Sequence, residues 1–75
     1  MSESEKSDEL QKLAAIATDM ELVSKLRTQS IESIGDISTH EALLVLLSLA
    51  ANEKLNVSER DLALKRAKEV LKIYH

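Results

Sequence analysis

His40-Glu41-Ala42-Leu43-Leu44-Val45-Leu46-Leu47-Ser48-Leu49-Ala50-Ala51-Asn52 is the most apolar stretch of the 75-residue chain. As a helix it is greasy nearly all round, with only Glu41, Ser48 and Asn52 forming a narrow polar strip. A helix of that kind has to be covered by others. The apolar run from Ala42 to Ala51, broken by Ser48, is about half of what a bilayer-spanning helix needs, so the cover is expected to be protein.

The rest of the composition says what that cover is made of. The only aromatic residue is Tyr74, and Trp, Phe, Cys and Pro are absent. A core of Leu, Ile, Val and Ala suits helix–helix interfaces and offers little of the cross-strand pairing that sheets use. One glycine and no proline also argue against the frequent turns of a β-rich fold. The expected class is all-α, with four short helices as two antiparallel pairs, either a HEAT-like stack or a four-helix bundle. A chain this short holds one domain, read as residues 7–75 behind a disordered tail, 1–6.

Three helix starts are written in one pattern. Thr18 precedes Glu21, Ser38 precedes Glu41, and Ser58 precedes Asp61, each as a capping box. Ala17 with Leu22, Ile37 with Ala42, and Val57 with Leu62 stand in staple position around them. A fourth start lies at Ser7, where Asp8 and Glu9 complement the helix dipole. These signals predict helices at 8–17, 19–34, 39–52 and 58–74, with Gly35 as the stop for the second and Asn52 ending the third. Leu55 is expected to tuck inward from the last connection. The predicted inward face of the first helix is Leu10, Leu13, Ala14 and Ala17, with Ile16 and Met20 beside it. That of the second is Leu22, Val23, Leu26, Ile31 and Ile34. The fourth carries a broad apolar arc that includes Leu62, Ala63, Leu64, Ala67, Val70, Leu71, Ile73 and Tyr74.

The junction Ser33-Ile34-Gly35-Asp36-Ile37-Ser38-Thr39-His40-Glu41-Ala42-Leu43-Leu44 resembles the boundary between consecutive HEAT-like repeats of the phycobilisome-lyase type. There a small residue, an aliphatic and a glycine close one helix, and Glu-Ala-Leu opens the next. The chain then divides into helix pairs at about 8–37 and 39–74, a spacing in the range of helical repeat arrays. The turn proline of that pattern is absent, Lys72 stands where a second glycine belongs, and Leu64 replaces an arginine. The resemblance implies an interaction scaffold.

Candidate chemistry is sparse. His40 and Glu41 are neighbours at a helix start and share no face, and His75 is the last residue, so neither a catalytic dyad nor zinc-ligand spacing is present. Arg27 falls inside the apolar arc of the second helix and is expected to lie along the core, paired with Asp19 or Asp36. Lys65, Arg66, Lys68 and Lys72 form the one basic cluster, interrupted by Glu69. No catalytic, cofactor or metal site is predicted.

The expected function is a non-catalytic protein–protein interaction or assembly module with an apolar surface of Leu44, Leu47, Ala51, Leu64, Leu71 and Tyr74. Two helix pairs bury less than the three or more units that repeat arrays use, so the expected partner is a protein, with a homodimer through the third or fourth helix as the leading form. The alternative is a small DNA-binding regulator using the basic last helix, against which the net charge of −3 weighs. A third possibility is a packing subunit of a larger enzyme complex. The polar, acidic start of the chain does not read as a secretory signal, and the absence of cysteine suits a reducing cytoplasm.

Overall fold

A computed structural model describes the backbone of residues 3–73 and the side chains of residues 7–73. Those residues form four helices and no strand: α1, Glu3–Ala17; α2, Ser24–Ile37; α3, His40–Ala50; and α4, Val57–Ile73. The first begins at Glu3, ahead of the start expected at Ser7. Helix α1 packs mainly on α2 and α3 mainly on α4, while α2 also lies against α4; among the described residues α1 touches α3 only slightly and does not meet α4. The Cα radius of gyration of 11.4 Å is that of one folded body of this length, about 11 Å.

The helix ends depart from the capping pattern, each for a local reason. Thr18 closes α1 instead of opening α2, because its hydroxyl donates back to the carbonyls of Ala14 (3.0 Å) and Ala15 (3.3 Å). Residues 19–23 are then a connection. The Asp19 carboxylate accepts from the Glu21 N–H at 3.0 Å, and α2 starts from Val23, in an extended conformation without a side-chain cap.

Gly35 is not a stop. It lies inside α2 without a positive φ, and the helix continues to Ile37, ending where Ser38 takes the left-handed conformation (φ 54°, ψ 35°). The Ser38 hydroxyl donates to the Gly35 carbonyl at 2.9 Å, satisfying an acceptor in the final turn. Thr39, one residue later than expected, caps α3 by accepting from the Ala42 N–H at 3.1 Å.

The last box is displaced by two residues. Asn56 Oδ1 accepts from the Glu59 N–H at 2.8 Å, and Glu59 Oε1 accepts from the Asn56 N–H at 3.1 Å. This reciprocal pair opens α4 in place of Ser58 and Asp61. Ahead of it, Asn52 forms a turn by accepting from the Lys54 N–H at 3.0 Å, and Arg60 Nε donates to the free Ala50 carbonyl at the end of α3, also at 3.0 Å. Leu55 tucks into the core as expected.

The core is aliphatic: Leu10 and Ala17 from α1, Ile31 and Ile34 from α2, Ala42, Leu43, Leu46 and Leu49 from α3, Ala63, Ala67 and Val70 from α4, and Leu55. The spacing of Ala42, Leu43, Leu46 and Leu49 marks one face of α3. Leu44 and Leu47 lie off it and are exposed. Val23 and Leu26, expected inside, are exposed as well, as are Ile16 and Met20. Because Arg27, Ser30, Ile31 and Ile34 occupy the inward face of α2, Leu26 is turned about 100° away from it.

Leu46→Ala should cost about 2–5 kcal/mol, since the side chain is fully enclosed. Leu44→Ala on the same helix should stay within about 0.5–1 kcal/mol of wild type. Urea denaturation measures both, and equal losses would contradict this assignment of the α3 faces.

Candidate functional site

Two arginines organise the polar side of the molecule, and both turn out to be structural. Arg27 Nε donates to Glu59 Oε2 at 2.9 Å, its Nη2 lies 2.8 Å from the same oxygen, and the Ser24 hydroxyl donates there at 2.5 Å. Its Nη1 donates to the Leu22 carbonyl and, at 3.4 Å, to that of Asp19. The expected carboxylate partners of Arg27 were Asp19 or Asp36. The structure supplies Glu59 instead: Asp19 offers only its backbone, and Asp36 belongs to Arg66.

Glu59 is fully enclosed by the protein, so no substrate could reach it, and a catalytic role is closed to it. Burial alone pushes its carboxyl up. Hydrogen bonds from the Ser24 hydroxyl, the Arg27 guanidinium and the Asn56 backbone, together with the Arg27 charge, outweigh that effect and hold it below its ordinary 4.5. The signal for Glu59 was present in the sequence as Asn56-Val57-Ser58-Glu59, an Asn-x-x-Glu box overlapping the Ser58 to Asp61 spacing.

Arg66 links α4 to α2. Its Nη2 lies 2.6 Å from Asp36 Oδ1 and donates to the Glu32 carbonyl at 3.3 Å, while Nη1 reaches Glu69 at 3.1 Å and approaches Glu32 Oε2 at 3.9 Å. The side chain lies directly over Gly35, where an added Cβ would fall 2.7 Å from the Arg66 guanidinium carbon. The arginine head fills the space that a side chain at position 35 would take. This drains the basic cluster of its arginine: Arg66 faces three carboxylates, leaving Lys65, Lys68 and Lys72 exposed along α4.

The described residues of the predicted surface all leave part of their side chains open to solvent. Leu44 is 53 % exposed, Leu47 44 %, Leu64 40 % and Leu71 43 %. Ala51 is exposed too, and Tyr74 lies outside the described residues. Sequence reasoning missed Val57, assigned to a staple with Leu62 but 70 % exposed, and Ile73. A shallow cleft between α3 and α4 is lined by Ala50, Val57, Arg60, Asp61 and Leu64. A second group, Ile16, Met20, Val23 and Leu26, gathers in sequence around the α1–α2 connection. Glu41 lies in the first turn of α3, whose N-cap is Thr39; it accepts from the Ser7 hydroxyl at 3.3 Å and ties the start of α3 to α1.

Among the described residues no group of three or more His, Asp or Glu side chains is placed to hold a metal ion, and no helix is long and apolar enough to cross a membrane. The chain matches no protein-family model, no curated protein and no solved structure.

Two outcomes follow from the arginines. Because the folded Glu59 carboxyl is held below 4.5, its stabilising contribution is complete above about pH 5 and is lost as the pH falls through its lowered folded value. Urea midpoints from pH 7 to 3 should therefore show the gap between wild type and Glu59→Gln narrowing on acidification; a gap independent of pH would contradict this. Gly35→Ala should gain about 0.5–1 kcal/mol of helix propensity in an Arg66→Ala background. In wild type that gain should vanish as the displaced arginine gives up its partners, and an equal effect in both backgrounds would show that Arg66 does not occupy the space above Gly35.

Proposed function

We propose that this chain is a non-catalytic protein-interaction or assembly module that binds through the apolar edge shared by α3 and α4. The supporting observation is the exposure of Leu44 and Leu47 on the most apolar helix of the molecule, together with that of Leu64 and Leu71 on α4, the helix α3 packs against most. Single exposed leucines are ordinary on any protein. Several large aliphatics on two adjoining helices are the pattern of an interaction site. The pairing of α1 with α2 and α3 with α4, joined through α2 and α4, is compatible with two stacked HEAT-like units, and the cysteine-free composition with a reducing cytoplasm.

Nucleic-acid binding through α4 is the weaker reading, because its arginine is already committed to Asp36, Glu69 and Glu32. The test is site-specific photocrosslinking in the cell of origin, with the reactive residue at Leu47 and, as control, at exposed Lys12 on α1. A discrete protein adduct from position 47 that is absent from position 12 is expected. No adduct above the control would overturn the proposal.

A further inference from the structure

The outward face of α4 is laid out so that a second copy of it fits when the copies run in opposite directions. Val57, Asp61, Leu64, Lys68 and Leu71 are all exposed, while Glu59, Ala63, Ala67 and Val70 point inward. At 3.6 residues per turn the five outward positions fall within an arc of about 80°. Leu64 is the centre of this stripe. Asp61 stands about 4.5 Å along the helix on one side and Lys68 about 6 Å on the other; Val57 and Leu71 follow at about 10.5 Å in each direction.

We propose that α4 packs antiparallel against α4 of a second copy of this chain, about a twofold axis near Leu64. This rests on the interaction reading above and names the partner. In that arrangement Leu64 meets its own copy, Val57 meets the partner's Leu71 at both ends, and Asp61 meets the partner's Lys68 twice. A parallel pairing would set Asp61 against Asp61 and Lys68 against Lys68, so the charges select the antiparallel one. A twofold interface is self-complementary by construction, and this stripe has the required exchange of acid for base about its midpoint. Neither Asp61 nor Lys68 takes part in an ion pair among the described residues, so both are available to a partner. The shallow cleft lined by Ala50, Val57, Arg60, Asp61 and Leu64 includes three of the stripe's residues and sets Ala50 of α3 beside Val57 and Leu64. Lys65 lies at the same rim in both copies, where solvent screens the repulsion.

Sedimentation equilibrium of the full chain and of the Asp61→Lys and Lys68→Asp variants tests the register. Wild type is expected to dimerise, and each variant alone to dissociate at least about tenfold more readily, because it opposes like charges twice. An equimolar mixture of the two variants is expected to recover a one-to-one heterodimer, since both charge contacts become attractive again. Circular dichroism confirms that the variants are folded, as exposed positions predict. A wild type that stays monomeric at about 500 μM, or a mixture that stays as dissociated as its components, overturns the proposal. If wild type is monomeric yet position 47 still crosslinks to a different protein, self-association falls while the interaction reading stands.

Discussion

The ion pair between Arg27 and Glu59 dictates more of this molecule than any single apolar contact. A buried guanidinium and a buried carboxylate both lose hydration, and they are tolerated only because nearly every other polar atom nearby is turned toward them. Arg27 gathers the Leu22 and Asp19 carbonyls as well as Glu59. Glu59 gathers the Ser24 hydroxyl and the Asn56 N–H. The connection before α2 and the one before α4 are thereby held at the same end of the molecule. Within the connection 19–23, the carbonyls of Asp19 and Leu22 serve the arginine. The same demand fixes the rotation of α2 about its axis, so Arg27 faces the core and Leu26 faces outward.

At the far end of α2 the contact with α4 is made differently. Arg66 comes over Gly35 from the solvent side, 20 % exposed, to carboxylates that are between 47 % and 77 % exposed. Such a pair contributes little energy. Its effect is geometric: it requires a helix position without a side chain, and it draws a cation out of the basic face. The two arginines therefore fasten α2 to α4 at both ends, one with a dry contact that resists substitution and one with a wet contact that tolerates it.

These two devices also mark the limit of what could be read from the chain. The all-α class, the four segments, the inward faces of α1 and α4 and the plug at Leu55 were legible, because hydrophobic spacing is a local property and packing follows it. On α3, apolar nearly all round, no spacing separated the buried Ala42, Leu43, Leu46 and Leu49 from the exposed Leu44 and Leu47. The helix boundaries were not legible either. A hydroxyl followed three residues later by an acid signals a capping box only if no stronger local bond competes. Thr18 was taken by the α1 carbonyls, and Ser58 lost to Asn56, whose amide reaches the N–H of a glutamate that the core already needs. Gly35 was misread because a glycine near a helix end has two explanations, a left-handed turn or a close approach. Only the position of Arg66, about thirty residues away in the chain, distinguishes them. Partners of Arg27 and Arg66 are long-range facts that no local spacing encodes.

Helix α4 shows how the two sets of constraints are kept apart. Its inward face is narrow and small, with Ala63 and Ala67 letting α2 and α3 come close, and Glu59 at the top of the same face. Leu64 and Leu71 nevertheless leave 40 % and 43 % of their surface open, apolar area of the kind that a partner covers. Aliphatics at Val57, Leu64 and Leu71 recur every seven residues, and a seven-residue recurrence drifts only about 20° per repeat around a straight helix. A partner helix crossing at a shallow angle of about 20° follows that drift along its whole length. In the proposed pairing a second α4 would follow that stripe, with Ala50 of α3 beside it in the cleft.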